Sequence, residues 1–176
     1  YRTDLQAGTY YVRMKPYWSA THGSYYLINT FTPALLANDQ EPDDTFQQAL
    51  EFDLNSTTTG RIGYIYNTVH DEADWYFITI PDDGALKVYS HSPDIGDYYL
   101  ELFDVDGERS LMWADVYPLN ETDSVYRMNL QAGKYFVRLK PYWSANHGSY
   151  FLSNTFTPAL LPNDKEPNDT YLQAQA

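Results

Sequence analysis

The sequence contains no cysteine, which excludes disulfide bonds, thiolate metal sites and cysteine nucleophiles. Basic residues are few: 11 Lys and Arg stand against 24 Asp and Glu, and the formal net charge is −13. A chain this acidic is repelled by nucleic-acid phosphates and by anionic lipid headgroups, so neither nucleic acid nor a membrane is an expected partner. The same charge suits a protein that holds hard cations through carboxylates.

The familiar sequence signatures of catalysis are also missing. The chain has no G-x-S-x-G motif, no H-E-x-x-H motif and no glycine loop of the kind that cradles phosphates. No run of about 18 apolar residues occurs either, which excludes a conventional membrane-spanning helix. Acidic residues are plentiful, so paired carboxylates of the glycosidase type stay open. The sequence nevertheless predicts a protein that is not an enzyme.

The middle of the chain is dominated by short runs in which apolar and polar residues alternate, separated by turn residues. Hydrophobic residues make up 43% and aromatic residues 17%, including 18 Tyr, a composition that favours strands and allows a packed core. Strands are predicted at residues 61–66, 74–80, 86–88, 98–102, 110–113, 124–128, 135–140 and 149–153. About eight antiparallel strands predict an all-β fold, a β-sandwich or jelly roll. No convincing amphipathic helix is present.

The first 51 residues recur at the end of the chain at an offset of 125 residues. Residues 1–51 and 126–176 share 36 identical residues in 51 aligned positions, including the hexapeptide KPYWSA at 15–20 and 140–145. Chance does not produce such identity. Because solenoid repeats are about 20–50 residues long, the period indicates a whole domain.

The repeat divides the chain into three parts. Residues 38–162 form one complete unit, residues 1–37 match the C-terminal part of a preceding unit, and residues 163–176 match the opening of a following one. The two partial units do not rebuild a whole unit, because neither supplies a second copy of residues 52–125. We therefore expect a longer tandem array or ends that dock on neighbouring molecules; an arbitrary fragment is the plain alternative.

Four motifs follow one another along the unit. It opens with EPDDT at 41–45, which recurs as EPNDT at 166–170, and continues with DEADWY at 71–76, GKYFVR at 133–138 and GSYFL at 148–152. This order resembles the bacterial pre-peptidase C-terminal domain. That family opens with an EPND-type motif, has a DxxDWY-type strand and ends on two strands that begin with a Gly-x-Tyr pattern, as GKYFVR and GSYFL do here. The resemblance covers the complete unit and both partial units.

The resemblance implies a secreted β-sandwich that is appended to an exported enzyme or repeated in a surface protein. It also implies a fold similar to the collagen-binding domains of clostridial collagenases, in which the opening segment and the DxxD segment chelate calcium. The family module is not itself a protease. An extracellular or cell-surface location is therefore expected.

Five carboxylates are the candidate metal ligands. If the opening segment crosses the start of the 74–80 strand, the acids of both segments converge, and without a cation their mutual repulsion would be costly. Calcium is then the expected ion, in agreement with the resemblance. The alternative is a proline-containing turn with solvated acids. The candidates are Glu41, Asp43, Asp44, Asp71 and Asp74.

Two further groups of residues are candidate surface sites. The aromatic pairs Tyr17-Trp18 and Tyr142-Trp143 follow a proline; they pack on the sandwich edge, contact a neighbouring unit or stack on sugar rings. Three N-x-S/T sequons are candidate glycosylation sites. These sequons begin at Asn55, Asn120 and Asn168.

The repeat leads to two functional hypotheses. In the first, the chain is a structural repeat module of an extracellular filament or surface array, in which copies join head to tail. In the second, it is a carbohydrate- or protein-binding appendage of a secreted hydrolase. The first predicts filaments in native material; the second predicts a catalytic domain in the same gene product.

Overall fold

The structure, a computed structural model, describes residues 5, 7–19, 22–33, 36–37, 39–63, 65–66, 69–143 and 146–160, of which 65–66 and 69–70 are described by their backbone alone. No described residue belongs to a helix, and none therefore forms a helix suited to crossing a bilayer. The described strands, in chain order, are β1 Leu50–Glu51, β2 Thr57–Ile62, β3 Ile65–Tyr66, β4 Val69–His70, β5 Asp74–Ile80, β6 Gly84–His91, β7 Tyr98–Phe103, β8 Ser110–Val116, β9 Thr122–Leu130, β10 Gly133–Pro141 and β11 Gly148–Pro158.

The strands form a β-sandwich. One sheet has five strands in the order β1-β5-β10-β7-β8, the second has four in the order β2-β11-β6-β9, and β3 and β4 pair separately. Every pairing is antiparallel except β1 with β5. Eight of the described strands have six residues or more. The predicted all-β sandwich of about eight strands is therefore confirmed.

The core lies between the two sheets and follows the predicted alternation. On β5, Tyr76, Ile78 and Ile80 are buried in the core, while Trp75 lies on the opposite face of the sheet. The strand β6 alternates between buried and half-buried residues along its whole length. This period of two is what a strand with one face on the core requires.

A second, smaller apolar cluster covers part of the outer face of the five-stranded sheet. The segment after the opening motif crosses this face, and Phe46 packs on Trp75 and Phe136 at ring-centroid distances of 6.1 and 5.7 Å. The cluster fixes residues 44–49 to the sheet, and with them the opening motif next to the start of β5. Its buried members are Ala73, Trp75, Phe103 and Phe136.

Two features of the strands differ from the prediction. The predicted strand 61–66 is interrupted: β2 ends at Ile62 because Gly63 has a φ of +82°, a conformation outside the strand region, and β3 begins at Ile65. The strands β8, β9, β10 and β11 also extend beyond their predicted bounds. Alternation of apolar residues stops before the hydrogen-bonded ladder does, so periodicity alone underestimates their length.

The two copies of the repeat differ in structure despite their common sequence. The strands described above all lie between residues 50 and 158, within the complete unit. Residues 9–16 and 22–33 correspond to β10 and β11 but form no strand. In the second copy β10 lies between β5 and β7, and β11 lies between β2 and β6, so both have partners on each side. Neighbouring strands, and not the segment's sequence alone, decide whether these residues become strands.

Candidate metal centre

The opening segment and the start of β5 meet at one end of the sandwich. The backbone N–H of Trp75 donates to the carbonyl of Asp43 at 3.1 Å, and the backbone N–H of Glu72 donates to Asp44 Oδ1 at 2.9 Å. Further back, the Thr59 hydroxyl donates to the carbonyl of Ala37 at 3.2 Å. These bonds hold the opening segment across the sheet edge, so that its acids face those before and at the start of β5.

The converging carboxylates form two groups that share Asp74. One group offers an oxygen each from Asp39, Asp43 and Asp74, and the other from Glu41, Asp71 and Asp74. Within each group, the ligand oxygens lie within 4.8 Å of one another. Carboxylates at this separation repel one another strongly unless protons or a cation intervene.

The cluster is buried, and several of its oxygens have no hydrogen-bond partner among the described residues. Asp43 and Asp74 are both 0% exposed. Both oxygens of Asp43 and the Oδ1 atom of Asp74 lack a partner, as do Asp39 Oδ1 and Glu41 Oε1. A buried carboxylate without a donor is costly. Either protons or a cation must offset this cost.

Two buried tyrosines order the carboxylates from the core side. The Tyr150 hydroxyl lies 2.5 Å from Asp74 Oδ2, and the Tyr76 hydroxyl donates to Asp39 Oδ2 at 2.7 Å. The two hydroxyls lie 2.8 Å apart. The Tyr150 hydroxyl also lies 2.8 Å from Asp39 Oδ2, so the two phenols fix the Oδ2 atom of each aspartate, while both Oδ1 atoms lack a partner among the described residues. Gly60 makes room for this arrangement, since a Cβ there would lie 2.6 Å from Asp39 Oδ2.

Burial and mutual repulsion raise the pKa values of these acids. Burial, followed by the charges of Asp39 and Glu41, raises the pKa of Asp43 to about 10. Burial, followed by the charge of Glu41, raises the pKa of Asp71 to about 8. The pKa values of Glu41 and Asp74 are also raised, burial being the largest cause for each. Without a cation, the cluster keeps protons at neutral pH that ordinary carboxylates have lost.

The donor set fits calcium. All candidate ligand atoms are carboxylate oxygens, which Ca²⁺ prefers, and two groups with a shared aspartate provide several oxygens in one buried place. No described histidine belongs to either group, so the donor chemistry is that of a hard cation and not of zinc or copper. Asp39, Asp43 and Asp74 would hold one ion, and Glu41, Asp71 and Asp74 a second.

The structure brings together four of the five predicted ligands and adds one. Glu41, Asp43, Asp71 and Asp74 all belong to the two groups. Asp44 does not; its Oδ1 atom instead accepts the Glu72 N–H. The addition is Asp39, which lies two residues before the opening motif. Its equivalent in the second copy is also an aspartate, Asp164, and that identity is the signal that the motif-centred prediction left aside.

The predicted surface aromatics are exposed in both copies. Tyr17 is 88% exposed and Trp18 70%, while Tyr142 is 42% and Trp143 63%. The tryptophans are thus largely exposed, and which of the three expected contacts the pairs make stays a prediction. The ring of Tyr142 packs partly on Tyr99, at a centroid distance of 5.4 Å.

Two predicted glycosylation sites lie on the described surface. Asn55 and Asn120 are exposed, with φ angles of 55° and 67°. The Asn55 Oδ1 atom accepts the Phe156 N–H at 2.8 Å, which ties this side chain to β11. Asn168 lies outside the described residues. Glycosylation of these asparagines stays a prediction.

No protein-family model and no curated protein matches the sequence. Among solved structures, the chain is similar to the pre-peptidase C-terminal domain of a collagenase from Bacillus anthracis, with 20% identity and a TM-score of 0.48 over 66% of this chain and 100% of that one. It is also similar to CorA, a surface-associated copper-binding protein of Methylomicrobium album BG8, with 8% identity and a TM-score of 0.46 over 62% and 98%. A third is PliG, a periplasmic inhibitor of g-type lysozyme from Aeromonas hydrophila, with 10% identity and a TM-score of 0.40 over 62% and 97%. These likenesses concern the fold alone, and the β-sandwich assignment rests on the strands and sheets of this chain.

Proposed function

We propose that this chain is a non-catalytic structural repeat of an extracellular filament or cell-surface array, a module of the pre-peptidase C-terminal type whose copies join head to tail through calcium-bound junctions. One observation carries the proposal. The acids of the buried cluster come partly from the segment that joins two copies of the repeat, namely Asp39, Glu41 and Asp43, and partly from the sandwich that follows. A cation there ties the junction to the module.

The burial of the cluster favours a structural ion over a catalytic one. Asp43 and Asp74 have no exposed surface, so an ion bound to them would be largely shielded from solvent by its protein ligands. Catalytic metal sites keep an open coordination position, whereas structural sites are closed by protein ligands. When bound, calcium supplies positive charge that holds the joining segment on the sandwich.

The tandem repeat supplies similar oxygen ligands to the next junction. At an offset of 125 residues, Asp164 and Glu166 match Asp39 and Glu41, and Asn168, which keeps one oxygen ligand, stands in place of Asp43. These residues lie outside the described part, and the sequence alone supports their role. If every unit carries a calcium-bound opening, head-to-tail copies form an open chain of modules, which grows as a filament when the contacts do not close into a ring.

Calcium binding is tested by calorimetry and thermal unfolding of the whole chain. At a hundredfold excess over Kd, a ligand specific for the native state stabilises it by about 2.7 kcal/mol, which corresponds to a Tm increase of about 10 °C for a domain of this size. Asp74→Asn is expected to abolish this increase, because both groups share Asp74. Asp82→Asn, an exposed turn residue, is the control and should behave like wild type. An unchanged Tm after chelation in the wild type contradicts the calcium site.

Assembly is tested by electron microscopy of native material. A compact 125-residue module is about 36 Å across, so filaments with an axial repeat near that length or a small multiple are expected. Isolated particles without filaments contradict the array and favour the second candidate, a binding appendage of a secreted hydrolase. The exposed aromatic pairs support that candidate, and a catalytic domain in the same gene product would establish it.

A further inference from the structure

One end of the outer face of the five-stranded sheet carries aromatic side chains that no described segment covers. Tyr99 on β7 and Trp113 on β8 point away from the core, because Tyr98 and Leu100 beside Tyr99, and Ala114 beside Trp113, are buried in it. Tyr142 and Trp143 lie just after β10. We call these four side chains, Tyr99, Trp113, Tyr142 and Trp143, the aromatic platform.

The four rings form one continuous surface with Tyr99 at its centre. The ring of Tyr99 lies 5.9 Å from that of Trp113 and 5.4 Å from that of Tyr142, centroid to centroid. The rings of Tyr142 and Trp143 are 4.8 Å apart and nearly perpendicular. Contacts of this kind order the rings relative to one another before any ligand arrives. The platform is therefore a prearranged surface and not a set of separate side chains.

Exposure separates the platform from the rest of the same sheet face. Trp113 and Trp143 are 62% and 63% exposed, whereas Trp75 is 6% exposed beneath Phe46. Two tryptophans left in water forgo the stabilisation that burial of their rings gives, about 25 cal/mol per Å². A contiguous exposed apolar surface of this kind marks an interaction site.

The outward position of the Tyr-Trp pair is a property of its own short sequence. Tyr17 and Trp18 form the same pair in the first copy, with centroids 5.1 Å apart and rings at 86°, although the neighbouring residues there form no strand. Tyr142 and Trp143 form it at 4.8 Å and 77° on the folded sandwich. The pair therefore does not owe its geometry to packing on the sheet, and each repeat copy presents one.

Carboxylates flank the rings. Asp115 lies opposite Tyr99 in the β7–β8 ladder. Asp97 precedes β7. Its backbone carbonyl accepts hydrogen bonds from the Tyr142 N–H at 3.2 Å and from Asn146 Nδ2 at 2.7 Å, and these bonds hold Tyr142 beside Asp97. Asp97 directly precedes Tyr98, which pairs with Val116, so the ladder places Asp97 at the same end as Asp115. Loss of solvent, followed by the charge of Asp115, raises the pKa of Asp97. Hydrogen-bond acceptors thus stand next to an aromatic surface.

We propose that the aromatic platform, with Asp97 and Asp115 at its rim, binds a neutral glycan built of pyranose rings. A pyranose has an apolar C–H face that stacks on an aromatic ring and hydroxyl groups that donate to carboxylates, so its two chemistries match the two kinds of group present. The site depends neither on calcium nor on assembly into a filament.

Charge decides against other ligands. The chain carries a net charge of −13 and the rim groups are acidic, so sulfated or uronate-containing glycans are repelled. If the platform instead bound a protein, the partner surface would typically offer Arg or strongly apolar side chains. The observable result would be association of copies or capture of another protein. That outcome is separated from glycan binding by the experiment below.

The test is calorimetry and tryptophan fluorescence of the full chain with hexamers of β-1,4-linked glucose, galactose and N-acetylglucosamine, and with polygalacturonate as the anionic comparison. Binding of at least one neutral hexamer, and none of polygalacturonate, is expected. Trp113→Ala and the double variant Trp18→Ala/Trp143→Ala should each weaken binding at least tenfold. Tyr126→Ala, an exposed aromatic on β9 of the other sheet, is the matched control and should bind like wild type.

Three results overturn the proposal. They are no binding of any neutral hexamer, equal binding by the tryptophan variants, and self-association that the tryptophan variants abolish in the absence of glycan binding. Circular dichroism verifies that the variants fold, which is expected because the replaced rings are exposed. Repeating the glycan titration after chelation separates this site from the metal centre. Glycan affinity should be unchanged without calcium, as long as the chain stays folded.

Discussion

Asp43 combines complete burial with two oxygens that have no hydrogen-bond partner in the described structure. We predict that Asp43→Asn lowers calcium affinity about tenfold, or about 1.4 kcal/mol, because the amide keeps one oxygen ligand but loses the charge. The metal-free protein should gain stability at neutral pH, because the raised pKa of Asp43 makes the native state take up a proton that the unfolded state has released, and an amide needs no proton. Calorimetric titration and thermal unfolding in EDTA measure the two effects. Equal calcium affinity in variant and wild type would exclude Asp43 as a ligand.

The raised pKa values predict an unusual pH dependence without metal. Burial raises the pKa of Asp71 to about 8 and that of Asp43 to about 10, whereas an unfolded aspartate titrates near 3.8. Between these values the native state holds protons that the unfolded state has released. The free energy of unfolding therefore falls as pH rises from about 4 towards 10.

In saturating calcium, the fall in the free energy of unfolding with rising pH should disappear, because these carboxylates are ionised in both the native and the unfolded state. The ion holds the carboxylates ionised, so protons compete with it, and the Tm increase produced by calcium should grow between pH 5 and pH 8. Thermal unfolding across this range, in EDTA and in calcium, measures both slopes. Asp43→Asn should flatten the slope in EDTA. Parallel slopes with and without calcium would show that these carboxylates do not bind the ion.

The sequence predicts the acids of the site better than the residues that orient these acids. Glu41, Asp43, Asp71 and Asp74 stand in two recognisable motifs, and the sandwich brings the motifs together. The roles of Tyr76 and Tyr150 are invisible in the sequence, because each reads as an ordinary core residue of a strand. Only the approach of β5 and β11 in different sheets brings the two hydroxyls within 2.8 Å of each other.

Strand β2 contributes to the site through a missing side chain. Gly60 is buried, and a methyl group there would lie 2.6 Å from Asp39 Oδ2 and closer still to the Tyr150 hydroxyl. We predict that Gly60→Ala costs about 1–3 kcal/mol of stability and also weakens calcium binding, because it displaces the groups that orient Asp39. Gly96→Ala is the control, since no atom lies within 4 Å of a Cβ at that position. Thermal unfolding and calcium titration of both variants test this; equal behaviour would contradict the close approach.

The two copies of the β10–β11 sequence should differ in protease sensitivity. Tyr11 and Tyr26 in the first copy are 93% and 85% exposed and belong to no strand, whereas their equivalents Phe136 and Phe151 lie in paired strands. For the 176-residue chain alone, which carries no second copy of residues 52–125 to pair with the first copy, we predict that chymotrypsin cleaves the first copy at least tenfold faster, because cleavage requires an extended backbone free of a ladder. Mass spectrometry of a short digestion identifies the sites. Equal rates in both copies would contradict the described difference.

Alternation of apolar residues predicts which face of a strand is buried more reliably than which strands are neighbours. The sequence predicts the strand 74–80 with the correct bounds, because alternation of apolar residues is a local property with a period of two. That β10 lies between β5 and β7 is a property of the whole sandwich. The first copy shows the limit directly, since nearly the same residues form no strand there.

For the whole molecule, the net charge of −13 and the position of the cluster have one joint consequence. Acidic modules in a row repel one another. The joining segment is free to bend unless it is fixed to the module that follows it in the chain. A cation at the opening segment lowers the local charge and fixes the segment at the same time. The stiffness of an assembled array should therefore depend on calcium more than its length does.

We predict that native filaments lose straightness when calcium is chelated, while the axial repeat of about 36 Å, set by the size of the module, changes little. Electron micrographs taken before and after EDTA, scored for filament curvature and axial spacing, measure the two quantities. Restoring calcium should restore straight filaments. Magnesium is the control: it requires a smaller, octahedral and largely hydrated site, so it should restore them poorly. Filaments that stay straight after verified removal of the metal would show that the junction is held by protein contacts alone.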